Sequence, residues 1–277
     1  MLLGLVNPKD KVIIPDPCYP GYRAFTILAG GRPVYLPLKA KNDFLPDLAK
    51  VEKIKDAKLM FVNYPNNPTA AVASREFYTQ LVGLARERGI VLVSDLAYSE
   101  IYYDGQKPLS LLEIEGAPEI AIEFHSFSKT FNMTGWRLGW ACGNEKLIAA
   151  LAKVKSNVDS GIFQAIQIAG VAALNTSDEE LNDLRAIYQE RRDSLVNGMR
   201  SLGWKITPAP ASFYVWAKIP KKFKDAMETT QAFLDQADLI VTPGVGFGES
   251  GEGYIRMALT VSKDKINEAV ERLRKVL

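Results

Sequence analysis

The chain has 277 residues and a net charge of +2, from 34 basic and 32 acidic side chains. This balance, without a basic stripe interleaved with aromatic residues, argues against nucleic acid as a partner. No apolar run approaches the length of a membrane span, and the N-terminus lacks the pattern of a secretion signal. One histidine excludes a histidine-rich metal centre, and two cysteines without metal spacing fit a reducing compartment. We therefore predict a cytoplasmic protein with no metal site and no membrane partner.

The first half of the chain alternates short apolar segments with helical or polar ones. Six segments predict strands, at residues 11–15, 32–38, 59–63, 90–93, 119–124 and 138–142. The second of these carries two prolines, which suit an edge strand. A helix is predicted between Ser74, as its N-cap, and Gly89, at its stop. The alternation predicts an α/β fold, a mostly parallel open sheet with flanking helices.

The second half is mainly helical and then mixed. Helical spacing from Glu145 to about Asn175 is followed by a capping box at Ser177 and Glu180. Further strands are predicted at 204–206, 212–219, 239–242 and 256–259, helices at 229–235 and 263–276, and a glycine-rich loop at 243–253. The shorter elements predict a small α+β domain. We therefore divide the chain into a large domain, residues 1–170, and a small C-terminal domain, residues 171–277.

Polar side chains follow three successive predicted strands of the first half. Asn67 comes after the strand at 59–63, Asp95 and Tyr98 come after the next strand, and Lys129 follows the strand at 119–124. Ligands of open α/β sheets bind beyond the carboxyl ends of the strands. These four side chains are therefore expected to converge in space.

Lys129 lies in a segment with Ser126 and Ser128 before it and Arg137 after it. A partly buried lysine loses its proton easily and can form a Schiff base with a carbonyl. Serine hydroxyls and a guanidinium suit a phosphate. Pyridoxal 5′-phosphate (PLP) carries both an aldehyde and a phosphate, so the segment indicates PLP as a cofactor. From this segment alone, an exposed loop lysine near a surface arginine is an equal alternative.

The remaining polar residues extend this interpretation. Asp95 can keep the pyridine nitrogen protonated, and Tyr98 and Asn67 can donate hydrogen bonds to the phenolate oxygen. Tyr19, in a proline-bracketed loop, can stack on the ring. Arg256 can bind the α-carboxylate of a substrate bidentately. Each residue alone has a plain structural explanation, whereas the set, placed at strand ends, is harder to explain without a shared ligand.

Four motifs then reveal a family resemblance, NYPNNPT (63–69), SDLAY (94–98), SFSKTFNMTGWRLGW (126–140) and YIRMALT (254–260). They resemble the fold-type I, PLP-dependent class I/II aminotransferases over essentially the whole chain. The resemblance implies that Lys129 forms the imine and that Asp95 contacts the pyridine nitrogen. It also implies that Tyr98 and Asn67 contact the phenolate oxygen, that Arg137 binds the phosphate and that Arg256 binds the substrate carboxylate. Three positions depart from the common pattern, Cys18, Ala70 and Thr130.

Within this family the chain is most similar to LL-diaminopimelate aminotransferases, as residues 15–23, 36–48, 155–167 and 251–260 indicate. The resemblance implies a homodimer that exchanges an amino group between an amino acid, LL-diaminopimelate, and a 2-oxo acid, 2-oxoglutarate, in lysine biosynthesis. Family members carry a further N-terminal segment, so we expect a chain that starts at residue 1 to bind PLP weakly and to have little activity. The alternatives are an aspartate- or alanine-type aminotransferase, a PLP β-lyase or decarboxylase, and a non-catalytic aminotransferase-like binding domain.

Overall fold

The structure is a computed structural model that describes residues 1–277, and it contains eleven α-helices and nine strands. The first part contains α1 (Leu2–Leu5), β1 (Lys11–Asp16), α2 (Gly21–Leu28), β2 (Arg32–Pro37), α3 (Leu48–Lys53), β3 (Ala57–Val62), α4 (Arg75–Arg88), β4 (Val91–Asp95), α5 (Ala117–Ile120), β5 (Ala121–Ser126), α6 (Phe127–Thr130) and β6 (Gly139–Gly143). The second part contains α7 (Glu145–Val158), α8 (Gln164–Leu174), α9 (Asp178–Ser201), β7 (Tyr214–Lys218), α10 (Ala226–Ala237), β8 (Thr242–Pro243), β9 (Tyr254–Ala258) and α11 (Lys263–Leu273).

The main sheet has six strands in the order β2-β1-β3-β4-β5-β6. Strands β1 to β5 run parallel, and β6 pairs antiparallel with β5. The proline-containing β2 lies at one edge, where its missing N–H groups cost no ladder hydrogen bond. The predicted mostly parallel open sheet is confirmed. Because β3, β4 and β5 are neighbours, the loops at their carboxyl ends are neighbours too.

Helix α4 shows how local signals set the connections of this sheet. The hydroxyl of Ser74 accepts a hydrogen bond from the backbone N–H of Phe77 at 3.1 Å, which caps the helix start. The helix ends at Gly89, whose φ of +63° favours glycine. Phe77, Leu81 and Ala85 lie four residues apart and are buried on one face of the helix. Both predicted ends of this helix are therefore confirmed.

Several predicted boundaries were wrong. The helix expected from 145 to 175 is interrupted at residues 159–163, where Gly161 has a φ of +123° and donates its N–H to the Asp159 carboxylate. Residues 204–206 form no strand, and Trp204 is buried with its Nε1 donating to the Lys218 carbonyl. The strand expected at 239–242 is reduced to Thr242–Pro243. Lys129 lies just past a strand end, as predicted, in the one-turn helix α6 that follows β5.

The C-terminal part has its own three-stranded sheet, in the order β7-β9-β8, all antiparallel. Its core cluster is built from α9, α10, α11 and this sheet, and it also includes Ile101 and Tyr103 from the segment after β4. That segment joins the C-terminal part through a backbone hydrogen bond from Ser212 to the Ile101 carbonyl at 2.7 Å. The division at residues 170 and 171 stays a prediction. None of the helices is both long and apolar enough to cross a membrane.

Candidate active site

The loops after β3 and β4 are joined by one buried asparagine, Asn63. Its Nδ2 donates to the Asp95 carbonyl at 2.7 Å, and its Oδ1 accepts from the backbone N–H of Asn67 at 2.8 Å. Asn63 directly follows the last residue of β3, and Asp95 is the last residue of β4. The asparagine therefore fixes the two strand ends against each other, and with them the side chains that project beyond the sheet.

Asp95 is held from the opposite side by Tyr22. The Tyr22 hydroxyl donates to Oδ2 of Asp95 at 2.6 Å, and the Tyr22 ring stacks on Phe61 with 4.4 Å between ring centroids. Burial raises the pKa of Asp95, while the Tyr22 hydrogen bond, the Ala97 N–H and the charge of Lys129 act in the opposite direction. The carboxylate is thus placed in a weakly polar setting in which a protonated ring nitrogen would be a strong partner.

Lys129 projects from α6 toward the loop that follows β4. Its Nζ lies 6.0 Å from the ring centroid of Tyr98. Burial lowers the pKa of Lys129, and the positive charge of Arg137 lowers it further, whereas Asp95 acts to raise it. A larger share of the amine is therefore neutral at a given pH, which is the form that attacks a carbonyl.

The segment around Lys129 brings together the predicted phosphate-binding residues. The Ser126 hydroxyl accepts from the Ser128 N–H at 3.2 Å and so caps α6, while its own proton stays free to donate. Arg137 is exposed and adopts a left-handed backbone with a φ of +56°. Its Nη1 donates to the Thr134 carbonyl at 2.9 Å, which orients the guanidinium and leaves its other donors available.

Arg256, in β9, reaches the same site from the C-terminal sheet. Its Nη1 donates to Oδ1 of Asn67 at 2.8 Å. The guanidinium carbon lies 3.9 Å from the ring centroid of Tyr214 and 4.5 Å from that of Phe247. Burial lowers the pKa of Arg256, and its buried Nε has no hydrogen-bond partner. The orientation of the guanidinium is fixed while its Nε donor remains unsatisfied.

Tyr98 is buried where these groups meet. Its ring makes edge contacts with Phe213 and Tyr214, at centroid distances of 5.4 and 5.9 Å. Burial raises the pKa of Tyr98, and the neighbouring Tyr214 and Asp95 add to this effect. The phenol therefore stays protonated and can act as a hydrogen-bond donor.

Tyr19 lies apart from this network. It is 44% exposed, and its ring makes an edge contact with Tyr22 at 5.6 Å. Both tyrosines line a mainly apolar cavity of about 480 Å³, in which Asp95 is the only carboxylate. Tyr19 is thus located beside the same space that Asp95 borders.

The structure brings five predicted residues into one group, Asn67, Asp95, Tyr98, Lys129 and Arg256. Ser126, Ser128 and Arg137 form a neighbouring group around α6. The role assigned to each residue stays a prediction. Sequence reasoning missed four contacting residues, Tyr22, Asn63, Tyr214 and Phe247.

Only some of the missed residues left a signal in the sequence. Tyr22 follows Tyr19 by three residues in the same turn-rich segment, and Asn63 ends the predicted strand at 59–63. Tyr214 belongs to an alternating strand, where one face is expected to be buried. Phe247 had no local signal, because its contact with Arg256 depends on how the glycine-rich loop folds.

One cluster elsewhere has the side chains of a metal site. Ligand atoms of Glu123, His125 and Cys142 lie within 4.8 Å of one another. Both carboxylate oxygens of Glu123 are already hydrogen-bonded, with donors from Ser94, Ser110 and the Leu111 backbone. We therefore assign no metal to this cluster.

The chain is similar to known proteins along nearly its whole length. The family model described as aminotransferase class I and II matches residues 1–273. An LL-diaminopimelate aminotransferase from Moorella thermoacetica is 52% identical over 277 residues, covering 99% of this chain and 71% of the relative. LL-diaminopimelate aminotransferase 2 from Trichormus variabilis is 51% identical over 274 residues, covering 98% of this chain and 70% of the relative.

Solved structures give a consistent result. Apo-BacF from Bacillus subtilis matches with a TM-score of 0.95 and 40% identity, covering 99% of this chain and 70% of BacF. An aspartate aminotransferase tetra mutant from Thermus thermophilus matches with a TM-score of 0.93 and 31% identity, covering 100% of this chain and 76% of the mutant.

Proposed function

Because the chain belongs to the class I and II aminotransferases, we propose that it transfers the amino group of LL-diaminopimelate to 2-oxoglutarate with PLP as cofactor. The observation that carries this proposal is the convergence of Lys129 from α6, Asp95 from β4 of the main sheet and Arg256 from β9 of the C-terminal sheet. The choice of LL-diaminopimelate is supported by relatives of that name at about 50% identity. The Thermus thermophilus aspartate aminotransferase mutant, at 31%, is more distant.

The residues present have the chemistry to hold PLP. Lys129 offers an amine with a lowered pKa, and Asp95 offers a buried carboxylate to the pyridine nitrogen. Arg137, with Ser126 and Ser128, offers charged and hydroxyl donors to the phosphate. When bound, PLP supplies an electron sink that makes removal of the α-proton of an amino acid feasible.

Lys129 would then move the proton. A neutral Nζ would accept the α-proton of the substrate and would then deliver a proton to C4′, the cofactor carbon that carries the aldehyde. Its lowered pKa suits this exchange, because the amine can be neutral before the transfer and charged after it. Asp95 would keep the proton on the ring nitrogen, and Tyr22 orients Asp95 through its hydroxyl.

Arg256 would hold the substrate by its α-carboxylate. Asn67 binds one edge of the guanidinium, and the unsatisfied Nε lies on another. A carboxylate that bound the guanidinium donors not used by Asn67 would form a charge-assisted, bidentate pair. The amino-acid substrate and the 2-oxo acid share this carboxylate, so one arginine can serve both halves of the reaction.

We also infer a homodimer. Helix α8 and the residue before it expose large apolar side chains, Phe163, Ile168, Val171 and Leu174, each more than 60% accessible. An apolar surface of this kind is typical of an interaction site. Sedimentation velocity of the purified protein would test this inference, and a species of monomer mass at micromolar concentration would contradict it.

The proposed reaction is tested with the purified chain and added PLP. Glutamate formation from 2-oxoglutarate is measured with LL-diaminopimelate, aspartate or alanine as donor, and we expect LL-diaminopimelate to give the highest kcat/KM. Lys129→Ala, which removes the reactive amine, should abolish turnover. A preference for aspartate would reassign the substrate. Release of pyruvate or ammonia without glutamate would show that the reaction is an elimination and not a transamination.

A further inference from the structure

We propose that Asp16, at the end of β1, positions the substrate-binding Arg256 by holding the glycine-rich loop that packs on it. This inference rests on the proposed role of Arg256 as the carboxylate-binding residue. Asp16 and Arg256 are far apart in sequence and lie in different sheets. Asp16 is only 6% exposed; its Oδ2 contacts the glycine-rich loop, and its Oδ1 is buried without a hydrogen-bond partner.

Two hydrogen bonds fasten the loop to the end of β1. Oδ2 of Asp16 accepts from the backbone N–H of Ser250 at 3.0 Å. The backbone N–H of Cys18 donates to the Phe247 carbonyl at 3.0 Å. The two bonds hold the loop at Phe247 and at Ser250, three residues apart. They therefore fix both the position and the rotation of the loop relative to β1.

Glycines allow the loop to approach this closely. A Cβ built on Gly248 would lie 1.5 Å from Oδ1 of Asp16, and the φ of Gly248 is +135°. Gly244 and Gly251 pack on each other, since a Cβ on either would lie about 2 Å from the carbonyl oxygen of the other. Only glycine fits these positions, so the loop has a defined shape pressed against the Asp16 carboxylate.

Phe247 transmits this position to Arg256. Its ring is 7% exposed and lies 4.5 Å from the guanidinium carbon, in the range of a cation–π contact. The other contacts of the guanidinium, with Tyr214 and Asn67, come from β7 and the loop after β3. Phe247 is thus the contact that depends on the loop, and the loop depends on Asp16.

This dependence matters because a bidentate ion pair requires a defined guanidinium plane. If the loop shifts away, Arg256 loses its contact with the Phe247 ring, and the guanidinium plane can tilt. Asp16 is then a positioning residue. It touches neither the cofactor-binding residues nor the guanidinium, and it acts through Phe247.

The test measures binding of glutarate to the PLP-loaded enzyme by isothermal titration calorimetry. Glutarate has the chain length of 2-oxoglutarate but no oxo group, so it binds without reacting. Asp16→Asn keeps the size of the side chain but places an amide NH₂ near Gly248 or Ser250. We expect the affinity for glutarate to be about fivefold to tenfold weaker, because a charge-assisted hydrogen bond that positions Arg256 indirectly is lost. KM for both substrates should rise more than kcat falls, and the PLP absorbance band should be unchanged.

A matched control comes from the same loop. Glu249 is exposed and makes no hydrogen bond through its side chain, so Glu249→Gln removes one negative charge without loosening the loop. Glutarate affinity should stay within about twofold of the unmodified enzyme, the range expected for a screened surface charge. Phe247→Leu, which removes the ring and leaves Asp16 intact, should reproduce the affinity loss of Asp16→Asn.

A double substitution decides whether Asp16 acts through Arg256. Arg256→Lys alone should weaken glutarate binding, because an ammonium cannot form the bidentate pair. Added to Arg256→Lys, Asp16→Asn should then have little further effect. Equal losses from Asp16→Asn in both backgrounds, or none in the unmodified enzyme, would overturn the role of Asp16 and leave that of Arg256 intact. If Arg256→Lys binds glutarate normally, both the proposed role of Arg256 and this inference fail.

Discussion

The hydroxyl of Tyr22 lies 2.6 Å from Oδ2 of Asp95, and the two residues are separated by 73 positions in the sequence. Burial and the neighbouring carboxylate raise the pKa of Tyr22, so the hydroxyl keeps its proton and remains the donor. The stacked Phe61 ring fixes the direction from which this proton approaches. Tyr22 therefore both orients Asp95 and stabilises its ionised form.

Tyr22→Phe is expected to reduce kcat/KM about tenfold, because it removes a hydrogen bond to a charged group. The lost donor had lowered the pKa of Asp95, so this pKa rises further. Asp95 must be ionised to hold the ring-nitrogen proton, and the acid limb of the pH–rate profile should therefore move to higher pH. Tyr35→Phe is a suitable control, since Tyr35 is an exposed tyrosine of β2. An unshifted acid limb in Tyr22→Phe would contradict this role.

Arg137→Gln is expected to slow the reaction of Lys129 with an aldehyde at neutral pH. Arg137 lowers the pKa of Lys129, second only to burial, so loss of its charge raises that pKa. The neutral amine then predominates only at higher pH, and the pH dependence of imine formation moves in the alkaline direction.

The measurement uses pyridoxal, which has no phosphate, so that changes in phosphate binding do not enter. Absorbance of the imine is followed as a function of pH. Arg137→Lys keeps a positive charge and should leave the pH dependence closer to that of the unmodified chain. An identical profile for Arg137→Gln and the unmodified chain would show that the two charges do not interact.

Polar residues that directly follow apolar strands were predictable from the sequence. Asp95 and Lys129 are examples, because parallel strands gather their carboxyl ends at one edge of the sheet. Tyr22 was missed for the opposite reason. It lies in α2, and its hydroxyl reaches Asp95 only after α2 has packed beside β1 and β3. A contact made between elements leaves no periodic signal in either of them.

Glu123→Gln is expected to destabilise the fold by about 2 to 4 kcal/mol, the usual effect of breaking a buried, charged hydrogen-bond network. Glu123 is 1% exposed, and its oxygens accept from Ser94, Ser110 and the Leu111 N–H. An amide can replace one of these acceptor oxygens but not both. Urea denaturation gives the change in unfolding free energy, with Glu115→Gln, an exposed glutamate, as control.

The same residue predicts a pH dependence of stability. Burial raises the pKa of Glu123, but hydrogen bonds from His125, Ser110 and Ser94 outweigh it, and the net pKa is lowered. Because the folded pKa is depressed, this contribution is fully present above the unfolded glutamate value of about 4.3 and is lost as the pH falls through the folded pKa. Glu123→Gln should flatten the stability curve in this acidic range. An equally steep curve in the variant would refute the assignment.

Ala70 is expected to tolerate glycine but not valine. Its backbone is left-handed, with a φ of +60°, and its side chain is fully buried. Glycine removes a strain of about 1–2 kcal/mol, but it adds about 0.5–1 kcal/mol of unfolded-state entropy and loses a buried methyl worth about 0.8 kcal/mol. These effects nearly cancel, so Ala70→Gly should change the unfolding free energy by less than about 1 kcal/mol.

Ala70→Val provides the contrast. A β-branched side chain is poorly compatible with a left-handed backbone, and extra atoms at a fully buried position must displace their neighbours. We expect a loss of about 3 kcal/mol or more in urea denaturation. Equal stability of the valine and glycine variants would show that the backbone at residue 70 relaxes.

Element types were easier to predict than element ends. Helix α4 was bounded correctly because Ser74 and Gly89 are local cap signals. The break between α7 and α8 begins at the extended residue Asp159 and includes Gly161, whose φ is +123°. The alternating pattern around Trp204 predicts a strand. Its indole instead packs in the C-terminal core and donates a hydrogen bond to the Lys218 carbonyl. Tertiary contacts decided these cases, and they are absent from a local window.

The left-handed backbone of Arg137 has a consequence for engineering. Glycine would adopt a φ of +56° without the roughly 1–2 kcal/mol cost that other residues incur there. The arginine is exposed and supplies no buried surface to compensate. Any selection or design scheme that scores folding stability alone should therefore favour glycine at this position. Such a scheme would remove the cation beside Lys129 while reporting an improvement, so thermostabilised variants of this chain should keep Arg137 fixed.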